Sequence, residues 1–192
     1  MGKIVIANSL TLDGVVQDPT GEEGFRLGGW FGQFGGKDLE DWGKIKTEEA
    51  LGAAALLHGR HSDEWFGTRW NDRSGEWADR LNSLPKYVVS STLTEPVWSN
   101  STVINGDVVS AVSKLKQEIS GEIVVYASYQ LVHTLIEHDL VDELRLVIFP
   151  VVLGTGERLF AETTDKKPMR LQSVSTIGGG LAFVTYEVVR DA

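Results

Sequence analysis

The segment Ile123–Phe149 reads IVVYASYQLVHTLIEHDLVDELRLVIF, and its periodicity changes twice. Ile123–Tyr126 is an apolar run of strand length. Ser128–Leu140 then sets Leu131, Val132, Leu135 and Ile136 in a stripe along one helix face, with Ser128 placed to act as N-cap. Glu143–Phe149 returns to a strand. Strand, helix and strand in succession are the unit from which parallel sheets are built.

The same alternation extends towards the N-terminus. Short apolar runs at Ile4–Ala7, Ala53–Leu57 and Tyr87–Val89 read as further strands, buried mostly on both faces. Asp107 is placed to cap a helix that uses Val108, Val112, Leu115 and Ile119 and stops before Gly121. Another helix is expected from about Lys37 to Leu51, with Leu39, Trp42 and Ile45 buried, although Gly43 inside it costs about 1 kcal/mol relative to Ala. Beyond Phe149 the pattern is strands without helices. Met169–Ile177 and Leu181–Val189 flank Gly178-Gly179-Gly180, which fits a hairpin turn. The fold class is therefore α/β: a mostly parallel central sheet with flanking helices and a C-terminal antiparallel hairpin, expected to form a single domain over residues 1–192. Gly24–Gly36 interleaves six glycines with Phe25, Trp30, Phe31 and Phe34, and its glycine content predicts a mobile loop.

Composition narrows the function. Twenty-seven acidic against 18 basic residues give a net charge of -9, a field that repels nucleic acid and anionic membrane surfaces. No cysteine is present, which excludes disulfides, thiolate catalysis and thiolate zinc sites. The apolar run after Met1 is too short for a signal peptide or a membrane span, so a soluble cytoplasmic protein is expected.

Familiar chemistries fail when their spacing is checked. Gly154-Thr155-Gly156 lacks the third glycine of a dinucleotide fingerprint, and Gly36-Lys37 is followed by Asp38 where a Walker motif needs Ser or Thr. His58 and His61 have no partners at metal-binding spacing, and His133 and His138 lie five apart, so no metal site is expected. No serine stands in a nucleophile elbow.

Four ordered segments carry a resemblance. Ser9-Leu10-Thr11-Leu12-Asp13-Gly14 follows the first strand, Gly59-Arg60-His61-Ser62 the second and Ser90-Ser91-Thr92-Leu93 the third. The last runs from Leu140-Val141-Asp142-Glu143-Leu144 into Pro150-Val151-Val152-Leu153-Gly154-Thr155-Gly156 and Leu159-Phe160. Together they resemble the dihydrofolate-reductase-like superfamily, in the branch of the reductase domain of bifunctional riboflavin-biosynthesis proteins, the RibD C-terminal type. The resemblance implies NADPH lying across the carboxyl ends of the strands, a homodimer, and hydride transfer to a small heterocyclic or carbonyl substrate, such as a uracil or pterin.

The resemblance also distributes roles. Gly59, Arg60, His61 and Ser62 would meet the cofactor phosphates, Arg60 through its planar fork; read alone, Arg60 serves equally as a surface residue. Ser90, Ser91 and Thr92 would grip the adenosine 2'-phosphate, unless their hydroxyls merely cap the next turn. Ala127, Ser128, Tyr129, Gln130 and Leu131 open a helix whose amides and dipole suit a pyrophosphate. The family usually has Gly at one or both of the positions of Ala127 and Ser128. Dedicated riboflavin-pathway reductases place Glu before a Gly pair, so Tyr126-Ala127-Ser128 departs from both patterns, and the substrate does not carry over. Asp13 is the catalytic candidate, placed to orient a substrate nitrogen or relay a proton, with a turn role as its alternative. Asp38 and Asp41 are rival acids, and Trp65, Phe66, Trp70 and Trp77 form an aromatic cluster for packing or substrate stacking. Beside the reductase stands a second reading, a non-catalytic pterin- or nucleotide-binding module that retained the fold, and a third with another hydride carrier.

Overall fold

The computed structural model describes residues 1–190, which form an eight-stranded sheet in the order β4-β3-β2-β5-β1-β6-β8-β7. The strands are β1 (Lys3–Thr11), β2 (Ala53–Gly59), β3 (Lys86–Val89), β4 (Ser101–Ile104), β5 (Glu122–Val125), β6 (Glu143–Phe149), β7 (Met169–Ile177) and β8 (Leu181–Val188). The first six run parallel, while β8 pairs antiparallel with β6 and β7 antiparallel with β8. The helices are α1 (Trp30–Gly35), α2 (Leu39–Gly52), α3 (Arg60–Trp70), α4 (Glu76–Ser83), α5 (Val108–Glu118) and α6 (Tyr129–Glu137).

The period of two in β1 divides the core. Ile4 and Ile6 face α5 and α6, where they pack with Val112, Leu115, Val132 and Leu135. Val5 and Ala7 face the other side and meet Ala50 of α2, Trp70 of α3 and Leu81 of α4. Burying β1, β2 and β5 on both faces explains their unbroken apolar runs. At the opposite edge, β7 is exposed along nearly its whole length, including Leu171 and Val174.

The expected strands and hairpin are present, and the capping carboxylate of Asp107 accepts from the Ser110 amide as anticipated. One expectation needs correction here. The glycine-rich stretch is an ordered knot rather than a mobile loop. Asp18, 2% exposed, accepts the amides of Glu23 and Phe25, and α1 follows with Trp30 buried edge-on against Phe149. Glycines at 24, 29 and 36 supply the positive φ that its turns demand.

The helix expected from about Lys37 is present as α2, which begins at Leu39 after a 3-10 turn over Gly36–Asp38 and buries two faces. Leu39, Trp42 and Ile45 join the cluster around Phe149 as expected, while Lys46, Glu49 and Ala50 point under the sheet. The structure adds α3, α4 and β4 to the expected elements. The strand Ser101–Ile104 is short and half-exposed at the sheet edge, with no apolar run to reveal it.

Asp38 explains the Gly178–Gly180 turn. Its carboxylate accepts the amides of Gly179 and Gly180 at 3.2 and 2.9 Å, and a Cβ on Gly178 would lie 2.0 Å from its Oδ1.

Candidate active site

A cavity of about 1270 Å³ opens at the carboxyl ends of β1, β2, β3 and β5. This is where open parallel sheets hold ligands, and the volume exceeds that of a typical single-ligand pocket. Every residue expected at the cofactor lines it: Gly59 to Ser62, Ser90 to Thr92, and Ala127 to Leu131.

The centre of the cradle is a strained corner. Ala127 and Ser128 both lie in the left-handed region, at φ 50° and 56°, a conformation that costs a non-glycine residue about 1–2 kcal/mol. Two devices hold it there. Asn8, 7% exposed on β1, accepts the Ala127 amide at 2.8 Å and donates to the Ala127 carbonyl at 3.3 Å. The Ser128 hydroxyl accepts the Gly59 amide at 3.1 Å and shares a 2.7 Å hydrogen bond with Ser62. Ser128 therefore does not cap α6 with its side chain as anticipated; it stitches β5 to β2.

This geometry favours glycine at both positions. Ala127→Gly is expected to raise stability by about 1 kcal/mol, because glycine adopts the left-handed region without penalty. Urea unfolding measures it, and a stability loss would mean the Asn8 clamp has already removed the strain.

Beyond the corner, the first intrahelical bond recorded in α6 is that from the Val132 amide to the Ser128 carbonyl. The amides of Tyr129, Gln130 and Leu131 precede it at a helix N-terminus, the arrangement that receives anions. A Cβ built on Gly59 meets nothing within 4 Å, so its Cα faces open space in the cradle. These features fit a pyrophosphate lying between Gly59 and α6.

At the outer end, Arg60 donates to the Thr92 hydroxyl at 3.0 Å and to Glu64 at 2.7 Å. Both partners of the Arg60–Glu64 pair are about half exposed, so the pair is weak and readily exchanged for a phosphate. The Ser90 hydroxyl accepts the amides of Thr92 and Leu93, which is the turn-capping alternative. His61 pairs with Glu23 at 3.0 Å on the surface, whereas His58 is buried against Asp63, 3.4 Å away, and burial pushes its pKa down.

Asp13 lies outside the cavity lining. Its carboxylate accepts the amides of Leu153 and Gly154 at 3.2 and 2.8 Å and the Thr11 hydroxyl at 2.7 Å. Burial pushes its pKa up, but these hydrogen bonds outweigh that and hold it below the usual carboxylate value. It clamps the Thr11–Gly14 turn to the loop after β6, the turn role expected as its alternative. Asp38 serves the hairpin, and Asp41 pairs with Lys44 at 2.8 Å on the surface, so neither rival acid reaches the cavity.

The remaining wall is aromatic. Phe31, Trp42, Trp65, Phe66, Trp70 and Trp77 line it, so the predicted cluster serves packing and cavity together. Asn8 and Lys46 also line it and were not singled out from the sequence. A polar Asn8 inside an apolar strand was the available sign of the first.

A twisted sheet of this order, with its ligand crevice at the parallel strand ends, defines a dihydrofolate-reductase-like α/β protein. The profile of the RibD C-terminal domain matches residues 2–183, and the chain belongs to that family. It is 29% identical to YyaP, an uncharacterized protein of Bacillus subtilis (strain 168), over 189 residues, or 96% of this chain and 94% of YyaP. Among solved structures it is similar to a putative riboflavin biosynthesis protein from Shewanella sp. PV-4, with a TM-score of 0.77 at 22% identity, covering 99% of this chain and 100% of that one. It is also similar to dihydrofolate reductase from Enterococcus faecalis complexed with NADP(H), with a TM-score of 0.58 at 14% identity, covering 98% and 97% of the two chains. At such identities these likenesses establish the fold. No helix among the described residues is long and apolar enough to cross a membrane.

Proposed function

We propose that this protein is an NADPH-dependent reductase that transfers a hydride to a small, planar heterocyclic or carbonyl substrate. The observation that carries the proposal is the convergence of the ends of β1, β2, β3 and β5 and the α6 N-terminus on one cavity, beside an aromatic wall. When bound, NADPH supplies the hydride; the protein orients and desolvates the reactants. The amides of Tyr129 to Leu131 and the open backbone of Gly59 would hold the pyrophosphate, and Arg60 with Thr92 the 2'-phosphate. The aromatic wall would exclude water and stack the substrate ring.

Exchanging Arg60 for Ala tests the assignment. NADPH affinity is expected to fall by about ten-fold or more, the loss of a charge-assisted pair, while NADH affinity changes little. Equal losses for both nucleotides would remove Arg60 from that role.

One observation favours the second reading, a pterin- or nucleotide-binding module without turnover: Asp13 is engaged in the loop clamp and held ionised, which leaves it poorly suited to donate a proton. Under that reading NADPH binds but no heterocycle provokes its oxidation. We further propose a cytoplasmic homodimer, with the exposed β7 surface around Leu171 and Val174 as the contact. Sedimentation of the wild type against Val174→Asp tests this, a monomeric wild type being the contrary result.

A further inference from the structure

We propose that Asn105, in the turn between β4 and α5, is a site of spontaneous deamidation, and that the carboxylate formed there opposes a 2'-phosphate bound at the cavity rim. The second half rests on the reductase reading; the first half does not.

The chain has five asparagines, and the structure holds four of them by their carboxamides. Asn8 is clamped to the backbone of Ala127. Asn71 bridges the Val97 carbonyl and the Ser99 amide, and Asn82 the Trp70 carbonyl and the Trp98 indole. Asn100 donates to the Ser83 carbonyl at 2.7 Å. Asn105 is exposed in its turn, and among the described residues its carboxamide has no hydrogen-bond partner.

The next residue sets the reactivity. Ser9, Asp72, Ser83 and Ser101 follow the four held asparagines, and Gly106 follows Asn105. With no side chain, Gly106 leaves its amide nitrogen open to the Asn105 side chain and lets the turn explore the geometry of attack. A Cβ built on Gly106, which sits at φ 92°, meets nothing within 4 Å, so nothing crowds the turn from outside.

The step needs water alone. The Gly106 nitrogen gives up its proton and bonds to Cγ of Asn105, and the bond from Cγ to the carboxamide nitrogen breaks as that nitrogen leaves with a proton as ammonia. The five-membered succinimide that remains takes up water at either carbonyl and opens to aspartate or isoaspartate. Amide and water become acid and ammonia, and nothing is oxidised or reduced. At neutral pH the new acid is ionised.

The position gives this charge a consequence. The Ser90 amide donates to the Ile104 carbonyl at 3.2 Å, which sets residue 105 beside the Ser90–Thr92 turn. Gly106 and Val108 line the cavity on that side, and Asp107 caps α5. A carboxylate at 105 therefore adds negative charge where the 2'-phosphate is proposed. Negative charge near a helix N-terminus is tolerated, so the fold is expected to persist.

The test ages the wild-type protein at physiological temperature and mildly alkaline pH, and follows the mass of the peptide around each asparagine. The Asn105 peptide is expected to convert over days, faster as pH rises, while the other four remain intact. The aged protein should bind NADPH about three-fold to ten-fold more weakly, the scale of like charges across a solvated rim, with NADH affected less. Asn105→Asp should show that loss without ageing. Asn105→Gln, which would have to close a larger and disfavoured ring, should keep its NADPH affinity through the same treatment. No conversion at Asn105, or conversion no faster than at Asn100, would overturn the site. Conversion that leaves NADPH affinity unchanged, or lowers NADH affinity equally, would overturn its link to the 2'-phosphate. If Asn105 converts but fresh protein binds no NADPH, the reductase reading fails and the modification site stands.

Discussion

Asp63→Ala is expected to destabilise the protein by about 3–5 kcal/mol, the cost of stripping a buried charge from the groups it satisfies. Asp63 is fully buried in the first turn of α3, and its carboxylate accepts the amides of Val97 and Trp98 at 2.6 and 3.3 Å. The loop it grips is tightly packed. Trp98 stacks on Phe66 with ring centres 4.8 Å apart, and a Cβ on Gly67 would come within 2.6 Å of the Trp98 nitrogen. Lys86 lies 4.8 Å from the Trp98 ring and donates to the carbonyls of Asn82, Leu84 and Ser99. Alanine would leave two buried amides and His58 without their acceptor and loosen α3, whose first residues form one side of the cavity at the strand ends. Urea unfolding at neutral pH measures the loss, and a change under about 1 kcal/mol would mean that the stacking alone holds the loop.

The same residue has a pH signature. Burial raises the Asp63 pKa, but the hydrogen bonds from His58, Val97 and Trp98 outweigh it, so the folded value lies below the ordinary one. Its contribution is therefore complete above about pH 4, the unfolded value, and is lost as pH falls through the lower folded value. In Asp63→Ala that part of the acid destabilisation should disappear.

Ser128→Asp is expected to weaken NADPH binding by about a hundred-fold, the effect of like charges a few ångströms apart near a protein surface. Aspartate tolerates the left-handed backbone at this position, so the fold should persist. Its carboxylate can still accept the Gly59 amide and the Ser62 hydroxyl that Ser128 engages. A negative charge would then occupy the point where α6 and β2 converge, where the proposal puts the pyrophosphate. Ser128→Asn, uncharged and similar in shape, separates charge from bulk and should retain most of the affinity. If the two variants bind NADPH alike, the pyrophosphate does not lie against Ser128.

The parallel order of the sheet could be read from Ile123–Phe149 because central strands buried on both faces leave unbroken apolar runs, and α6 leaves an apolar stripe. The edge strand β4, short and half-exposed, leaves no such mark, and α4 spans eight residues with two, Ala78 and Leu81, in the core. The glycine-rich stretch misled for a definite reason. Glycine content reports positive φ, and here those angles close an ordered knot on Asp18.

That Gly59 to Ser62, Ser90 to Thr92 and Ala127 to Leu131 share one cavity was legible because these residues follow directly on the strands in sequence. The opposite wall is assembled from distant positions. Lys46 and Glu49 look like ordinary helix-surface charges until α2 is laid under the sheet, and Asn8 acquires its purpose from Ala127, 119 residues away. Asp13 was visible as a motif residue, but its partners at Leu153 and Gly154 lie about 140 positions further on, so the turn and the proton relay could not be told apart from sequence.

The most direct test of the central claim is a calorimetric titration of the wild-type protein with NADPH. One site per chain is expected, with a dissociation constant on the order of micromolar to tens of micromolar, and tryptophan quenching should accompany it because four tryptophans line the cavity. No heat and no quenching at about 1 mM NADPH, the upper end of ordinary cofactor and substrate affinities, would contradict the account.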